Sequence, residues 1–184
     1  MYGLVNKAIR DRLIERHGEE AWYRIRDRAG IEQDVFLFNE GYPDEITYAL
    51  VAATSAELDL PADEVLRDFG EFWALDIAHG PFGALVTACG STLGDFLRHL
   101  PAMHTRTAMI FPDLDPPRFE CDVLAEGSAR LHYHTPRTGL THFIIGLVHG
   151  MAKYFQTACE VTVVERKDAG ADHDVFEVSW APSA

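Results

Sequence analysis

The chain has 184 residues, of which 47% are hydrophobic and 24% are charged, a composition that excludes a disordered or fibrous protein. We expect one soluble domain over residues 1–184, long enough to enclose a cofactor in its core. The formal net charge is −13, and residues 31–100 hold 13 acidic against two basic side chains, which argues against nucleic acid as a partner.

The opening segment and the cysteines predict the compartment. MYGLVNKAIRDRLIERHG carries a charge every few residues, so we expect neither a signal peptide nor a membrane anchor, and a cytoplasmic protein. The three cysteines are scattered and odd in number, which favours a reducing environment over a disulfide framework. They are Cys89, Cys121 and Cys159.

Helical periodicity dominates the first 104 residues. Apolar residues recur at helical spacing in two neighbouring segments, and two Pro-initiated acidic turns are typical of helix starts. Ser91 is expected to cap a further helix whose apolar face ends near Met103 and includes His104. The predicted helices cover residues 2–16, 19–28, 43–58, 61–73 and the segment from Ser91 past His104.

The pattern changes to alternation after Arg118. RFECDVLAE and SARLHYHT flank Gly127 and predict a β-hairpin, and CEVTVVERK with DVFEVSW predicts a second one. Between the hairpins, a helical apolar stripe runs from Leu140 to Phe155. Helices followed by a four-stranded antiparallel sheet with one intervening helix predict the α+β class.

His104 is the clearest candidate for chemistry among the histidines. A histidine on an apolar helical face has to satisfy its ring nitrogens by hydrogen bonding or by binding a metal. Taken alone, the position is more typical of a core histidine that has an ordinary hydrogen-bond partner. His132 and His134 lie two residues apart on a predicted strand and form a possible zinc pair, but no matching set of further ligands accompanies them.

Tyr133, Thr135 and Arg137 alternate along the same strand. If the strand continues to Thr135, the three side chains share the face opposite His132 and His134. A phenol, a hydroxyl and a guanidinium together suit a carboxylate, which Arg137 would bind through two parallel hydrogen bonds. A solvated Tyr and Arg at a strand end would give the same spacing.

These segments resemble the haem-nitric oxide/oxygen binding (H-NOX) domains, the family of the sensor domain of soluble guanylate cyclase. The resemblance runs nearly end to end. It is carried by MYGLVNKAI, VAATSAELDLPADEVLRDFGEFW, FLRHLPAMHTR and LHYHTPRTGLTHFIIGLVHG. It implies the H-NOX fold, in which haem lies between a helical distal part and a proximal part with the sheet. The absence of C-x-x-C-H makes the expected cofactor a noncovalent, b-type haem.

The resemblance assigns roles to individual residues. It implies that Tyr133, Thr135 and Arg137 grip the haem propionates, with Thr replacing the family's usual Ser. It also makes His104, which precedes Phe111-Pro112, the proximal iron ligand, with Pro117 pressing on the macrocycle. Pro101 departs from the uninterrupted helix of relatives and should kink or restart the helix three residues before the ligand.

The distal positions implied by the resemblance predict which gas binds. Oxygen-binding members carry a Tyr where this chain has Phe143, and tend to carry Asn where it has Trp73. Without the Tyr hydroxyl we expect nitric oxide and carbon monoxide to bind and oxygen to be excluded. Tyr2, His142 and Trp73 are alternative hydrogen-bond donors, and Val5 and Leu147 complete the expected cofactor-binding set.

The expected function is therefore a gas sensor that acts on a separate protein and is not an enzyme. No Walker loop, nucleophile elbow or catalytic triad is found in the sequence. The resemblance implies a histidine kinase or a diguanylate cyclase or phosphodiesterase as partner. A haem enzyme that acts on nitric oxide or oxygen and a haem carrier are the alternatives.

Overall fold

The computed structural model describes residues 1–80, 82–110 and 116–181. This part of the chain forms seven α-helices, four β-strands and one 3-10 turn, which confirms the α+β class. The helices are α1 (Gly3–His17), α2 (Glu19–Arg28), α3 (Asp44–Leu58), α4 (Ala62–His79), α5 (Gly83–Thr87), α6 (Leu93–Ile110) and α7 (Thr141–Tyr154). The strands are β1 (Arg118–Ala125), β2 (Ser128–His134), β3 (Cys159–Glu165) and β4 (Asp174–Trp180), and the turn is Lys167–Ala169.

Most predicted helix boundaries are close to those observed, and two differ. α4 continues to His79 rather than ending at Trp73, because its apolar spacing persists through the buried Ala74. α5 lies between two predicted helices, in a segment for which no element was predicted. It has five residues and buries Val86, and so short a helix shows no periodicity in sequence.

All strand pairs in the sheet are antiparallel, in the order β1-β2-β4-β3. Both predicted hairpins are confirmed, and the pairing of β2 with β4 joins them into one sheet. Tyr133 on β2 lies opposite Asp174 on β4. β2 and β4 are thus the central strands, and the residues at their adjoining ends are held in fixed register.

The chain divides into two compact units, Met1–Phe69 and Gly70–Ala184. In the first unit, α1, α2 and α3 pack together around Trp22, Ile25 and Leu50. None of the helices in the described segments combines the length and apolar character that a membrane crossing requires. The single domain expected over residues 1–184 stays a prediction.

Two glycines bring α4 and α7 into close contact within the second unit. A Cβ atom at Gly70 would lie 2.2 Å from the carbonyl oxygen of Phe143, and one at Gly150 would lie 2.7 Å from Cβ of Ala74. The absence of side chains at these two positions lets the backbones approach. Lys153 and Glu71 form an ion pair at 2.6 Å across the same two helices.

We expect Gly70→Ala to lower the free energy of unfolding by about 1–3 kcal/mol, because its Cβ would force the backbone of α7 to shift. Gly41→Ala is the matched control, since a Cβ there meets nothing within 4 Å. Its effect should stay within about 0.5 kcal/mol. Urea denaturation of both variants measures the difference, and equal effects would contradict the close contact.

Candidate functional site

α6 carries His104, and the packing of α6 determines where that side chain lies. Leu93, Phe96, Leu97 and Leu100 are buried on one face of the helix, which packs on β1 and β2. At its start, a Cβ at Gly94 would lie 2.8 Å from the indole of Trp180, so the helix approaches β4 closely there. His104 follows Leu100 by one turn and extends the same face.

The structure corrects the expected cap of α6 and the expected restart at Pro101, while a kink at Pro101 stays a prediction. Thr92, not Ser91, caps the helix: its hydroxyl accepts the N–H of Asp95 at 3.1 Å and donates to the Asp95 carboxylate at 2.9 Å. Pro101 does not restart the helix, which runs unbroken from Leu93 to Ile110. The proline removes one N–H donor, but the buried apolar face holds the turns before it in place.

The His104 imidazole is held in one orientation. Its Nδ1 lies 3.2 Å from the carbonyl oxygen of Leu100, one turn earlier, so Nδ1–H donates to that oxygen. This tautomer leaves the lone pair on Nε2, for which no hydrogen bond is found among the described residues. Burial lowers the pKa of His104, and the bond to Leu100 opposes this only in part. The ring is therefore neutral at neutral pH, as a metal ligand has to be.

Phe119 connects His104 with the predicted Tyr133. The ring centroids of His104 and Phe119 are 4.6 Å apart, and those of Phe119 and Tyr133 are 5.2 Å apart. Phe119 and Tyr133 are direct partners in the β1–β2 register, and both are buried. Sequence analysis missed Phe119, although the alternation of its strand and the hairpin register signal that it faces Tyr133.

Thr135 and Arg137 lie beyond the end of the strand. β2 ends at His134, so the expected extension of the strand to Thr135 is wrong. The chain turns instead, and the Thr135 hydroxyl accepts the backbone N–H of Arg137 at 3.2 Å. The Thr135 carbonyl oxygen accepts a hydrogen bond from the ammonium group of Lys167 at 2.5 Å. Lys167 is thus a second cation, besides Arg137, at this turn.

Tyr133 does face away from His132 and His134. β2 alternates half-buried and buried residues, with Tyr133 on the buried side and both histidines on the other. Pro117 is half-buried and immediately precedes β1, which carries Phe119. The second unit thus brings His104, Phe119 and Tyr133 together, with the Thr135 turn directly after Tyr133. Phe111 and Pro112 lie outside the described residues.

The predicted distal residues lie on α1, α4 and α7. Trp73 follows Gly70 by one turn on α4, and the backbones of Phe143 and Leu147 on α7 are among those that approach Gly70. These three side chains are half-buried. In the first unit, Tyr2 forms a β-bridge with Gly41, and Val5 lies in the first turn of α1.

A buried carboxylate that the sequence did not reveal fixes the start of α7. Asp174 accepts the hydroxyl proton of Thr141 at 2.8 Å and the backbone N–H of Lys167 at 2.7 Å. The bonds connect β4, the start of α7 and the first residue of the 3-10 turn. Thr141 and Asp174 are 33 residues apart in the chain, so their contact left no local sequence signal.

The three thiols form no disulfide, and burial raises the pKa of each. Cys121 lies on β1 and Cys159 on β3, the two edge strands. Three strand spacings of about 4.8 Å separate the edges, too far for a disulfide between Cys121 and Cys159.

Comparison with known proteins identifies curated relatives that match nearly the whole chain. Soluble guanylate cyclase gcy-31 of Caenorhabditis elegans is 24% identical over 182 residues, which cover 98% of this chain and 26% of the cyclase. Soluble guanylate cyclase gcy-32 of the same organism is 31% identical over 156 residues, which cover 83% of this chain and 23% of the cyclase. The chain thus spans about a quarter of the length of these relatives.

Solved structures share the fold. An H-NOX protein from Shewanella oneidensis in the Fe(II) ligation state superimposes with a TM-score of 0.90 at 18% identity, covering 100% of this chain and 98% of that one. The structure of an H-NOX protein from S. oneidensis in the Fe(II)NO ligation state gives a TM-score of 0.88 at 19% identity, with 98% and 99% covered. The model of the haem-NO-binding family matches residues 2–163. The chain therefore belongs to the haem-NO-binding family and is a haem-binding sensor domain with a b-type haem as cofactor.

Proposed function

We propose that this domain senses nitric oxide through a haem held by His104 and regulates a signalling enzyme. When bound, a ferrous haem supplies an iron that can take nitric oxide or carbon monoxide. The observation that carries the proposal is the state of His104. Its ring is neutral and fixed through Nδ1–H, its Nε2 is left for a metal, and it lies one aromatic ring away from Tyr133.

The turn after β2 suits the two propionates of a haem. Tyr133 brings a phenol, Thr135 a hydroxyl, and Arg137 a guanidinium that can bind a carboxylate through two hydrogen bonds. Lys167 adds a positive charge close to Thr135. Arg137 on this turn and Lys167 beside it would stabilise carboxylates more than neutral donors alone would. Pro117, which immediately precedes β1, would contact the macrocycle.

The residues on α4 and α7 support selectivity for nitric oxide. Phe143 has no hydrogen-bond donor, and a hydrogen bond to a polarised ligand contributes about 1.5–3 kcal/mol. Its absence would lower oxygen affinity roughly tenfold to a hundredfold, whereas nitric oxide needs no such donor. Trp73, Leu147, Tyr2 and Val5 would complete the surroundings of the cofactor.

The proposed sensor acts by regulating a separate partner protein. α6 carries His104 and packs on β1 and β2, so a change at His104 has a direct path to the sheet. We assign this chain a regulatory and not an enzymatic role, in the cytoplasm, with residues 1–184 acting as one domain. A histidine kinase or a diguanylate cyclase or phosphodiesterase would be the partner, and the relatives named above are themselves guanylate cyclases.

We expect His104→Gly to lose haem unless imidazole is supplied, because it removes the imidazole nitrogen that would bind the iron. Haem per chain and the absorption spectrum of the reduced protein are the measurements. His99→Ala is the matched control: this histidine lies on the same helix, with Nδ1 2.9 Å from the Asp95 carbonyl oxygen, but is exposed. Full occupancy and an unchanged spectrum in His104→Gly without imidazole would contradict the assignment.

The reduced wild-type protein should bind nitric oxide and carbon monoxide and form no stable oxygen complex in air. Phe143→Tyr should increase oxygen affinity about tenfold or more, since it supplies the missing donor. Phe155→Tyr, about 18 Å further along the α7 direction, is the control and should change nothing. A stable oxygen complex in the wild type would show that Trp73, His142 or Tyr2 donates, and would favour an enzymatic role.

The sensing role is tested by titrating a kinase or diguanylate cyclase encoded beside this chain with the ferrous and nitric oxide forms. Regulation requires that the partner distinguish the two forms, and we expect a difference of about fivefold or more in affinity or output. Pro117→Ala should reduce that difference. Equal binding and output in both forms would exclude this partner, and rapid haem transfer to apomyoglobin would favour a carrier.

A further inference from the structure

Three histidines meet on the face of the sheet opposite Tyr133. His132 and His134 project from β2, and His173 immediately precedes β4. His132 lies opposite Val175 and Tyr133 opposite Asp174, so the next step of the register sets His134 against His173. Nδ1 of His132 lies 2.9 Å from Nε2 of His173, and the rings of His134 and His173 stack with centroids 3.9 Å apart.

Carboxylates surround the three rings. Oδ2 of Asp172 lies 3.3 Å from Nδ1 of His173, and Oδ2 of Asp122 lies 3.3 Å from Nε2 of His132. Oε1 of Glu120 lies 3.6 Å from Nε2 of His134 and also pairs with Arg118. Asp172 is the carboxylate that belongs with His134 and His173, because single ligand atoms of these three residues lie within 4.8 Å of one another.

His134 has an unsatisfied nitrogen. Its Nε2 is shielded from solvent and has no hydrogen-bond partner among the described residues. A buried nitrogen with no partner is costly unless something binds it, and its neighbours are nitrogen and oxygen ligands.

We propose that His134, His173 and Asp172 bind a divalent transition-metal ion of the zinc class, with His132 as the fourth ligand. Two or three imidazoles with one carboxylate suit Zn²⁺, Cu²⁺ or Ni²⁺, whereas Mg²⁺ and Ca²⁺ prefer oxygen ligands alone. A tetrahedral zinc site needs ligand atoms about 3.4 Å apart. Rotation of the side chains and movement of the exposed Asp172 would bring the three atoms from within 4.8 Å to that spacing.

The site does not depend on the cysteines or on the haem. Cys121 faces the other side of β1, with Phe119, and Cys159 lies on the far edge strand. An ion held by His134 and His173 would join the end of β2 to the start of β4. The adjoining residues are Thr135, which begins the turn after β2, and Asp174, which fixes the start of α7. The metal would thus stabilise the segment that carries Thr135 and Arg137.

The test uses the haem-bound chain without an affinity tag, stripped with a chelator and dialysed against Zn²⁺. We expect one zinc per chain by elemental analysis, with Mg²⁺ failing to compete. Competition with a chromophoric chelator should show that His134→Ala and His173→Asn each lower zinc affinity about tenfold or more. His17→Ala and the double variant Cys121→Ser/Cys159→Ser are the controls and should keep wild-type affinity.

Far-UV circular dichroism and the thermal midpoint of the zinc-free proteins separate loss of a ligand from loss of the fold. His173→Asn changes a residue outside the strands, so it is expected to keep the wild-type spectrum. Three outcomes would overturn the proposal. These are less than stoichiometric zinc in the wild type, unchanged affinity in both histidine variants, or loss of zinc in the cysteine variant.

Discussion

The packing of α6 on the sheet is the interaction on which the candidate site depends. Burial of Leu93, Leu97 and Leu100 against the sheet contributes roughly 1.5–3 kcal/mol for each side chain. His104 continues this apolar face by one helical turn, so the burial that holds α6 also presents the imidazole beside Phe119. The ring is then fixed by the carbonyl oxygen of Leu100, a group that the helix supplies without any additional residue.

Strand alternation gives β2 two separate roles. Its inward residues end at Tyr133, which packs on Phe119 and leads into the turn with Thr135 and Arg137. Its outward residues end at His132 and His134, which meet His173. Because side chains alternate strictly along a strand, adjacent residues can serve different sites without competing for space.

Close helix contact organises the residues proposed for gas selectivity. Gly70 and Gly150 let α4 and α7 approach so closely that a Cβ atom at either position would overlap atoms of the facing helix. Trp73 and Phe143 lie near this contact between the helices. Because the two backbones are packed so closely, the helices have little freedom to shift. A change of side chain at Phe143 would therefore act on a surface that close helix packing holds in place, as the proposed selectivity requires.

The sequence by itself determined the α+β class, most helix boundaries and both hairpins, because these depend on local periodicity and turn residues. It also pointed to His104 and Tyr133 by position, and the resemblance assigned their roles. It misplaced the cap of α6 by one residue, since both Ser91 and Thr92 are good caps and only the Asp95 contacts distinguish them. It also did not foresee that α6 passes Pro101 without restarting.

Only the tertiary structure decided which distant residues meet. The bond of Asp174 to Thr141 joins residues 33 positions apart, and the approach of His173 to His132 joins residues 41 positions apart. The contact of Phe119 with His104 likewise joins two different elements, β1 and α6. Each depends on the register of β1, β2 and β4 and on the packing of α6, and strand register is set by long-range pairing, not by local sequence. The histidine pair on β2 was visible in the sequence, but the third histidine and Asp172 joined it only when β4 paired with β2.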